Sequence, residues 1–252
     1  MGLEIFSSRN ENKDDKEIID TSITILKKAG IKNAKVKIGN FKLFELLIQK
    51  LSIPERWKKR LIKFYWNSKY FSELLKRLES NLDIDPFVVA GDHKTYLKMK
   101  KENPNKIIAG RSYREILDRY EKKINDPRIT KTGKQSCKII KEFLKIKCPL
   151  KNAPEKLNKF YKKYNLNISV GKEFFPITNF KQNNLKFEFS TCNGRGREIE
   201  YYTSFIFSID IKIKNKQKTL ISGGRYNDLT SKNFGLRKIP AVGAAINLGV
   251  YE

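Results

Sequence analysis

Apolar and polar positions alternate between two periods along the chain. Leu3 to Ser7 reads as a short strand. Ile19, Ile23 and Leu26 recur at helical spacing, so a helix is expected over Glu17 to Lys28. Asp14 and Asp15 suit its start, and Gly30 suits its C-terminal cap. Ala34-Lys35-Val36-Lys37-Ile38 alternates with period two, the pattern of a half-buried strand. From Asn40 the pattern turns helical. Leu43, Phe44, Leu46 and Leu47 form one stripe. Phe71, Leu74, Leu75 and Leu78 form another. Ser52 to Glu55 and Ser112 to Glu115 both read as capping boxes opening helices. The stretch from Asp83 to Gly110 is less regular. Two amphipathic stripes follow, on Ile139, Ile140, Phe143 and Leu144, then on Leu157, Phe160, Tyr161 and Tyr164.

The last third returns to period two. Leu185 to Phe189 alternates. Phe205, Phe207, Ile209, Ile211 and Ile213 form the buried face of a long strand, with Ser208, Asp210 and Lys212 opposite. Lys214 to Gln217 is a turn, Thr219 to Ser222 a returning strand, and Ala241 to Leu248 a strand of small apolar residues. The fold class expected is α+β. An antiparallel sheet is assembled from residues 1–39 and 166–252, and residues 40–165 form a helical insertion.

Composition narrows the function. The 252 residues are 39% hydrophobic and 12% aromatic, too rich for a disordered chain. No apolar run reaches the roughly 20 residues of a membrane helix, and Met1 to Phe6 leads straight into charged residues, unlike a signal peptide. No membrane association is expected, and the location expected is cytoplasmic. Three scattered cysteines and one histidine, His93, do not make a metal site; free thiols and a surface histidine are expected, with no metal and no cofactor. Lys+Arg outnumber Asp+Glu by 53 to 27, a net charge of +26. That balance fits an anionic partner. It also fits the Lys-, Asn- and Ile-rich drift of an AT-rich genome. The sign of the charge leaves both readings open.

Two stretches carry chemistry. In Arg197-Glu198-Ile199-Glu200-Tyr201-Tyr202-Thr203-Ser204, an extended chain puts Glu200 and Tyr202 on one face and Tyr201 on the other. Arg forks onto a carboxylate, Glu pairs with an ammonium, and Tyr offers a wall and a hydroxyl. Such a set can hold a small zwitterion. In Ser222-Gly223-Gly224-Arg225-Tyr226-Asn227-Asp228, the glycines at a strand end let a ligand approach the backbone. Each stretch alone also reads as a plain strand edge and turn.

Together with Ile239-Pro240-Ala241-Val242-Gly243-Ala244-Ala245-Ile246, in that order, these stretches resemble the C-terminal half of the histidyl-tRNA synthetase-like class II catalytic core. The resemblance implies that Arg197 would contact an activated carboxylate and phosphate, that Tyr202 would help hold histidine, and that Gly223 and Gly224 would line the amino-acid pocket. The candidate histidine pocket is Arg197, Glu200, Tyr201, Tyr202, Thr203, Gly223, Gly224 and Arg225. The departures are Glu198 and Ser204 in place of glycines, and Val250 where a synthetase has the arginine that grips ATP phosphates. Motifs 1 and 2 and an anticodon-binding domain have no counterpart in the chain. No catalytic residue is therefore expected.

Gly39-Asn40 with Leu43, Phe44, Leu46, Leu47, Pro54, Trp57 and Arg60-Leu61, and the run Ala109-Gly110-Arg111-Ser112-Tyr113-Arg114-Glu115-Ile116, are similar to the proteobacterial regulatory subunit of ATP phosphoribosyltransferase, the non-catalytic relative in this superfamily. The resemblance runs from Leu3 to Leu248 and corresponds to the last two-thirds of a full member. It implies a hetero-oligomer with the short-form catalytic subunit of ATP phosphoribosyltransferase, in the first step of L-histidine biosynthesis, with L-histidine as a feedback effector and no nucleic-acid partner. The alternative is a fragmentary or split histidyl-tRNA synthetase core, for which a polyanionic tRNA would account for the charge.

Overall fold

The computed structural model describes residues 1–7, 10–80, 86–102, 107–124, 126, 130–176, 185–196, 201–235 and 237–250. The chain opens with strand β1 (Gly2–Phe6) and helix α1 (Glu11–Lys28). Asn10 caps α1 by accepting from the Lys13 amide, so the helix begins well before the predicted Glu17. It ends as predicted. Gly30 takes φ +73°, and the amides of Gly30 and Ile31 donate back to Lys27 and Leu26. Strand β2 (Ala34–Asn40) runs directly into α2 (Phe41–Lys50), with Asn40 both the last strand residue and the cap.

Helices α3 (Glu55–Lys63), α4 (Ser68–Glu79), α5 (Pro86–Lys100), α6 (Tyr113–Ile124), α7 (Thr130–Phe143) and α8 (Ala153–Lys163) follow. Two expectations are corrected here. The Ser52–Glu55 capping box does not form: Pro54 occupies the cap position and makes no side-chain cap bond. The irregular stretch after Asp83 contains the fifteen-residue helix α5. Its apolar residues carry no helical stripe, so period-based reading passes over it. The Ser112 box does form. Glu115 accepts from the Ser112 amide at 2.9 Å, and the Glu115 amide donates to the Ser112 hydroxyl. A two-stranded hairpin, β3 (Ile107–Ile108) and β4 (Arg111–Ser112), precedes α6. No described helix is long and apolar enough to cross a membrane.

The described strands form a seven-stranded sheet in the order β1-β9-β8-β7-β2-β6-β5, where β5 is Lys147–Pro149, β6 Leu185–Ser190, β7 Phe205–Ile213, β8 Lys216–Arg225 and β9 Ala241–Ile246. It is mixed rather than wholly antiparallel, because β2 and β6 pair in parallel. Residues 41–184 lie between those strands in sequence, and so long a crossover permits the parallel pairing. The β7–β8 turn places Lys214 and Asn215 at positive φ.

One face of the sheet is apolar. Val36, Ile38, Phe207, Ile209, Ile221 and Val242 are buried on it with Ile19 and Ile23 of α1. The opposite face is polar, and here the single buried face predicted for β7 needs correcting. Ser208 and Asp210 are as buried as their apolar neighbours. Ser208 donates to Asn193, and Asp210 accepts from Thr219 at 2.8 Å, Gln217 at 3.2 Å and Lys37 at 2.5 Å. Buried polar groups keep to such partners because an unmade bond there costs about 1–3 kcal/mol. The three cysteines are free: Cys137 and Cys148 are buried and Cys192 is half-buried. His93 is exposed.

Candidate functional site

A row of glycines crosses the polar face. The strand registers place Glu4 opposite Gly243, Gly243 opposite Gly224, Gly224 opposite Ile206, and Ile206 opposite Gly39. Side chains on one cross-strand row point to one face, so three of five positions there leave bare backbone. The space above each glycine is taken by another side chain. A Cβ on Gly224 would lie 2.8 Å from Tyr202 Cδ1 and 2.6 Å from the Phe205 carbonyl oxygen. A Cβ on Gly39 would lie 2.8 Å from Asn193 Cβ. One on Gly243 would run into the Glu4 carboxylate. The result is a glycine-floored trough furnished by Glu4, Tyr202 and Asn193. Partial burial pushes the Glu4 carboxyl above the usual carboxylate range.

The three sequence segments meet here. The Thr203 amide donates to the Arg225 carbonyl at 2.8 Å, and the Asn227 amide donates to the Thr203 hydroxyl at 3.4 Å. Asn227 Oδ1 accepts from the Ala241 amide at 3.1 Å. The Tyr226 amide donates to the Ala241 carbonyl at 2.8 Å. Side chain-to-backbone bonds of this kind lock a loop to a strand end where no ladder continues.

The predicted residues fall in different places. Tyr202 is buried against Gly224, and Tyr201 is 42% exposed. The two rings sit side by side, 4.7 Å between centroids, rather than on opposite faces, because β7 begins only at Phe205 and residues 201–204 are not laddered. Gly223 belongs to the other face, beside Phe207. Arg225 turns away from the trough and is fully buried on the α1 side. Its Nε donates to Asp15 Oδ1 at 2.8 Å, one terminal nitrogen to the Glu11 carbonyl at 2.9 Å, and the other to Asn227 Oδ1 at 3.2 Å. Burial pushes the Asp15 carboxyl up to about 6, against the opposing pull of Arg225. Arg197, Glu198 and Glu200 lie outside the described residues, as does the side chain of Val250.

Glu4 and Asn193 escape sequence reading because neither sits in a recognisable pattern. Only the recurrence of glycine at 39, 224 and 243, each on a strand, hints that something must stand over it.

With its mixed sheet and flanking helices, the chain has the fold of a class II aminoacyl-tRNA synthetase-like core. The histidyl-tRNA synthetase of Nostoc sp. PCC 7120 shares this fold: the chain overlays it with a TM-score of 0.52 at 19% identity, over 98% of this chain and 47% of that one. In sequence the chain is similar to the ATP phosphoribosyltransferase regulatory subunit of Rhizobium rhizogenes, 27% identical over all of this chain and 71% of that protein. It is 26% identical to the protein of the same name from Allorhizobium ampelinum, with the same coverage. No protein-family model matches the chain.

Proposed function

We propose that the chain acts as a non-catalytic regulatory subunit of ATP phosphoribosyltransferase, joining a short-form catalytic subunit in the first step of L-histidine biosynthesis and relaying feedback by histidine. The observation that carries this reading is the similarity to regulatory subunits over the entire chain. The trough agrees with it. Glu4, Tyr202 and Asn193 stand over its glycines, and Arg225 is committed to Asp15 and α1, so the described arrangement is suited to holding structure together rather than to gripping phosphates. In this reading residues 1–39 and 166–252 form the synthetase-like core, residues 40–165 are the insertion, and the chain works in the cytoplasm. Arg197, Glu200, Tyr201, Tyr202, Thr203 and Gly224 remain the proposed contact set for histidine, with Gly223 and Arg225 behind them on the α1 face of the sheet. Feedback then amounts to a coupling free energy between the histidine site and the partner, typically about 1–3 kcal/mol.

The test is reconstitution. The chain is expected to co-purify with a short-form catalytic subunit at about 0.5 M salt, where charge attraction is screened within about 4 Å. It should raise that subunit's phosphoribosyl transfer and make the rate sensitive to histidine. Calorimetry of the complex with histidine then compares wild type with Arg197→Ala and Tyr202→Phe. Loss of binding in Arg197→Ala supports the contact set; unchanged affinity in both removes it. Failure to bind the catalytic subunit, together with histidine-dependent pyrophosphate exchange, would favour the synthetase reading instead.

A further inference from the structure

The +26 charge is not spread evenly. Between α3 and α6 lies an open cleft of about 1440 Å³, and eight of its lining side chains are cationic against three acidic. It draws on four of the twelve arginines in the chain: Arg56, Arg60, Arg111 and Arg119. Lysine drift alone does not gather scarce arginines into one place. The spacing is regular as well. Arg56, Lys59, Arg60 and Lys63 follow i, i+3, i+4, i+7 on α3, and Ile116, Arg119, Tyr120 and Lys123 do the same on α6. The α3 stripe facing the shared cleft is wholly basic, and the α6 stripe sets Arg119 and Lys123 beside Ile116 and Tyr120.

Part of this charge is answered internally. Arg56 pairs with Asp126 at 3.4 Å and Lys123 with Asp92. Arg60 lies over the Trp57 ring and donates to the Tyr70 hydroxyl. Lys59, Arg111 and Arg119 are exposed and form no salt bridge within 4 Å among the described residues, although the Glu115 carboxylate lies near enough to Arg111 to feel its charge. Like charges held around one cleft repel, and a bound anion relieves that cost. Arginine's planar fork suits phosphate oxygens. Half-buried Tyr120 adds a ring to the wall, which a base can use and a carboxylate cannot. Volume leaves room for more than a nucleotide, and length sets the limit. The cleft exceeds the roughly 300–1,000 Å³ of ordinary small-ligand pockets. Yet α3 is only nine residues, about 14 Å long. That length accommodates a nucleotide but falls short of the roughly 4–16 nucleotides that single-strand binding sites cover.

We propose that the α3–α6 cleft is a binding site for a nucleoside polyphosphate, its phosphate chain held by Lys59, Arg111 and Arg119 and its base set against Tyr120. The site lies in the helical insertion and is independent of the regulatory reading above.

Calorimetry on the full chain tests it, with ATP, inorganic tripolyphosphate and adenosine as separate titrants. ATP is expected to bind, tripolyphosphate more weakly, and adenosine not detectably. R111Q/R119Q should weaken ATP binding at least tenfold. K151Q/K162Q removes the same charge from exposed positions outside the cleft and should leave affinity within twofold. Both double variants change exposed residues; R119Q alone, expected to show a partial loss, guards against misfolding of the pair. Absence of ATP binding, equal losses in the two double variants, or tripolyphosphate binding as tightly as ATP would each overturn the proposal. So would tighter binding of an oligouridylate or an oligoglutamate peptide at the same residues, which would make the cleft an RNA or acidic-protein surface.

Discussion

Arg225 and Asp15, 210 residues apart in sequence, meet in a buried pair with nitrogen–oxygen distances of 2.7 and 2.8 Å. The pair ties the end of β8 to the first turns of α1. It also fixes which way the Gly-Gly-Arg segment faces.

Asp15 gives the fold a specific pH signature. Its carboxyl is raised to about 6 by burial, from an ordinary value of 3.8. A group raised in the folded state contributes stability that is full below the lower value and lost as pH rises through the upper one. Asp15→Asn removes the titration. Its stability relative to wild type should therefore improve by about 3 kcal/mol between pH 3 and pH 8. Urea unfolding of both proteins at several pH values checks this, and a constant difference would refute it.

Arg225→Leu should act in the opposite sense. At pH 7 it strands a buried carboxylate, which typically costs about 3–5 kcal/mol. At pH 4, where Asp15 holds its proton, the loss should shrink by more than half. The readout is the same unfolding series.

Gly224→Ala tests the trough. The added methyl meets the Phe205 carbonyl and the Tyr202 ring together. Overpacking of this kind costs about 1–3 kcal/mol. Combining it with Tyr202→Ala should recover only the part due to the ring, because the carbonyl cannot withdraw. Melting temperatures of the two single variants and the double separate the contributions.

Cys137 should be silent in the native protein. Burial pushes its thiol up to about 12, so at pH 8 the thiolate fraction is near one in ten thousand, against roughly one in four for an unperturbed cysteine. Ellman's reagent should leave Cys137 unmodified until the chain is unfolded, and mass spectrometry of the labelled peptides identifies it. Rapid native labelling at Cys137 would contradict the packing of α7 against α4.

Element positions can be read from the chain wherever one face repeats. The stripes of α1, α4, α7 and α8 and the alternation of β2, β6 and β7 follow from burial at period 3.6 or 2, and local capping at Gly30 and Ser112 follows from backbone chemistry. The ordered segments around Tyr202, Gly223–Gly224 and Gly243 were also legible, through their joint resemblance to the synthetase-like core, since each alone reads as a plain strand edge or turn. Tertiary structure alone decided the rest. Helix α5 has no stripe to read. The β2–β6 pair is parallel, an arrangement that the long insertion between its strands permits but no local pattern announces. Ser208 and Asp210 are buried because Asn193, Lys37 and Thr219 come from elsewhere to bond them. Arg225 looked like a pocket residue until α1 supplied Asp15 on the opposite face. These depend on partners from nine to more than two hundred residues away, and local periodicity carries no information about which group will satisfy a buried charge or fill the space above a glycine.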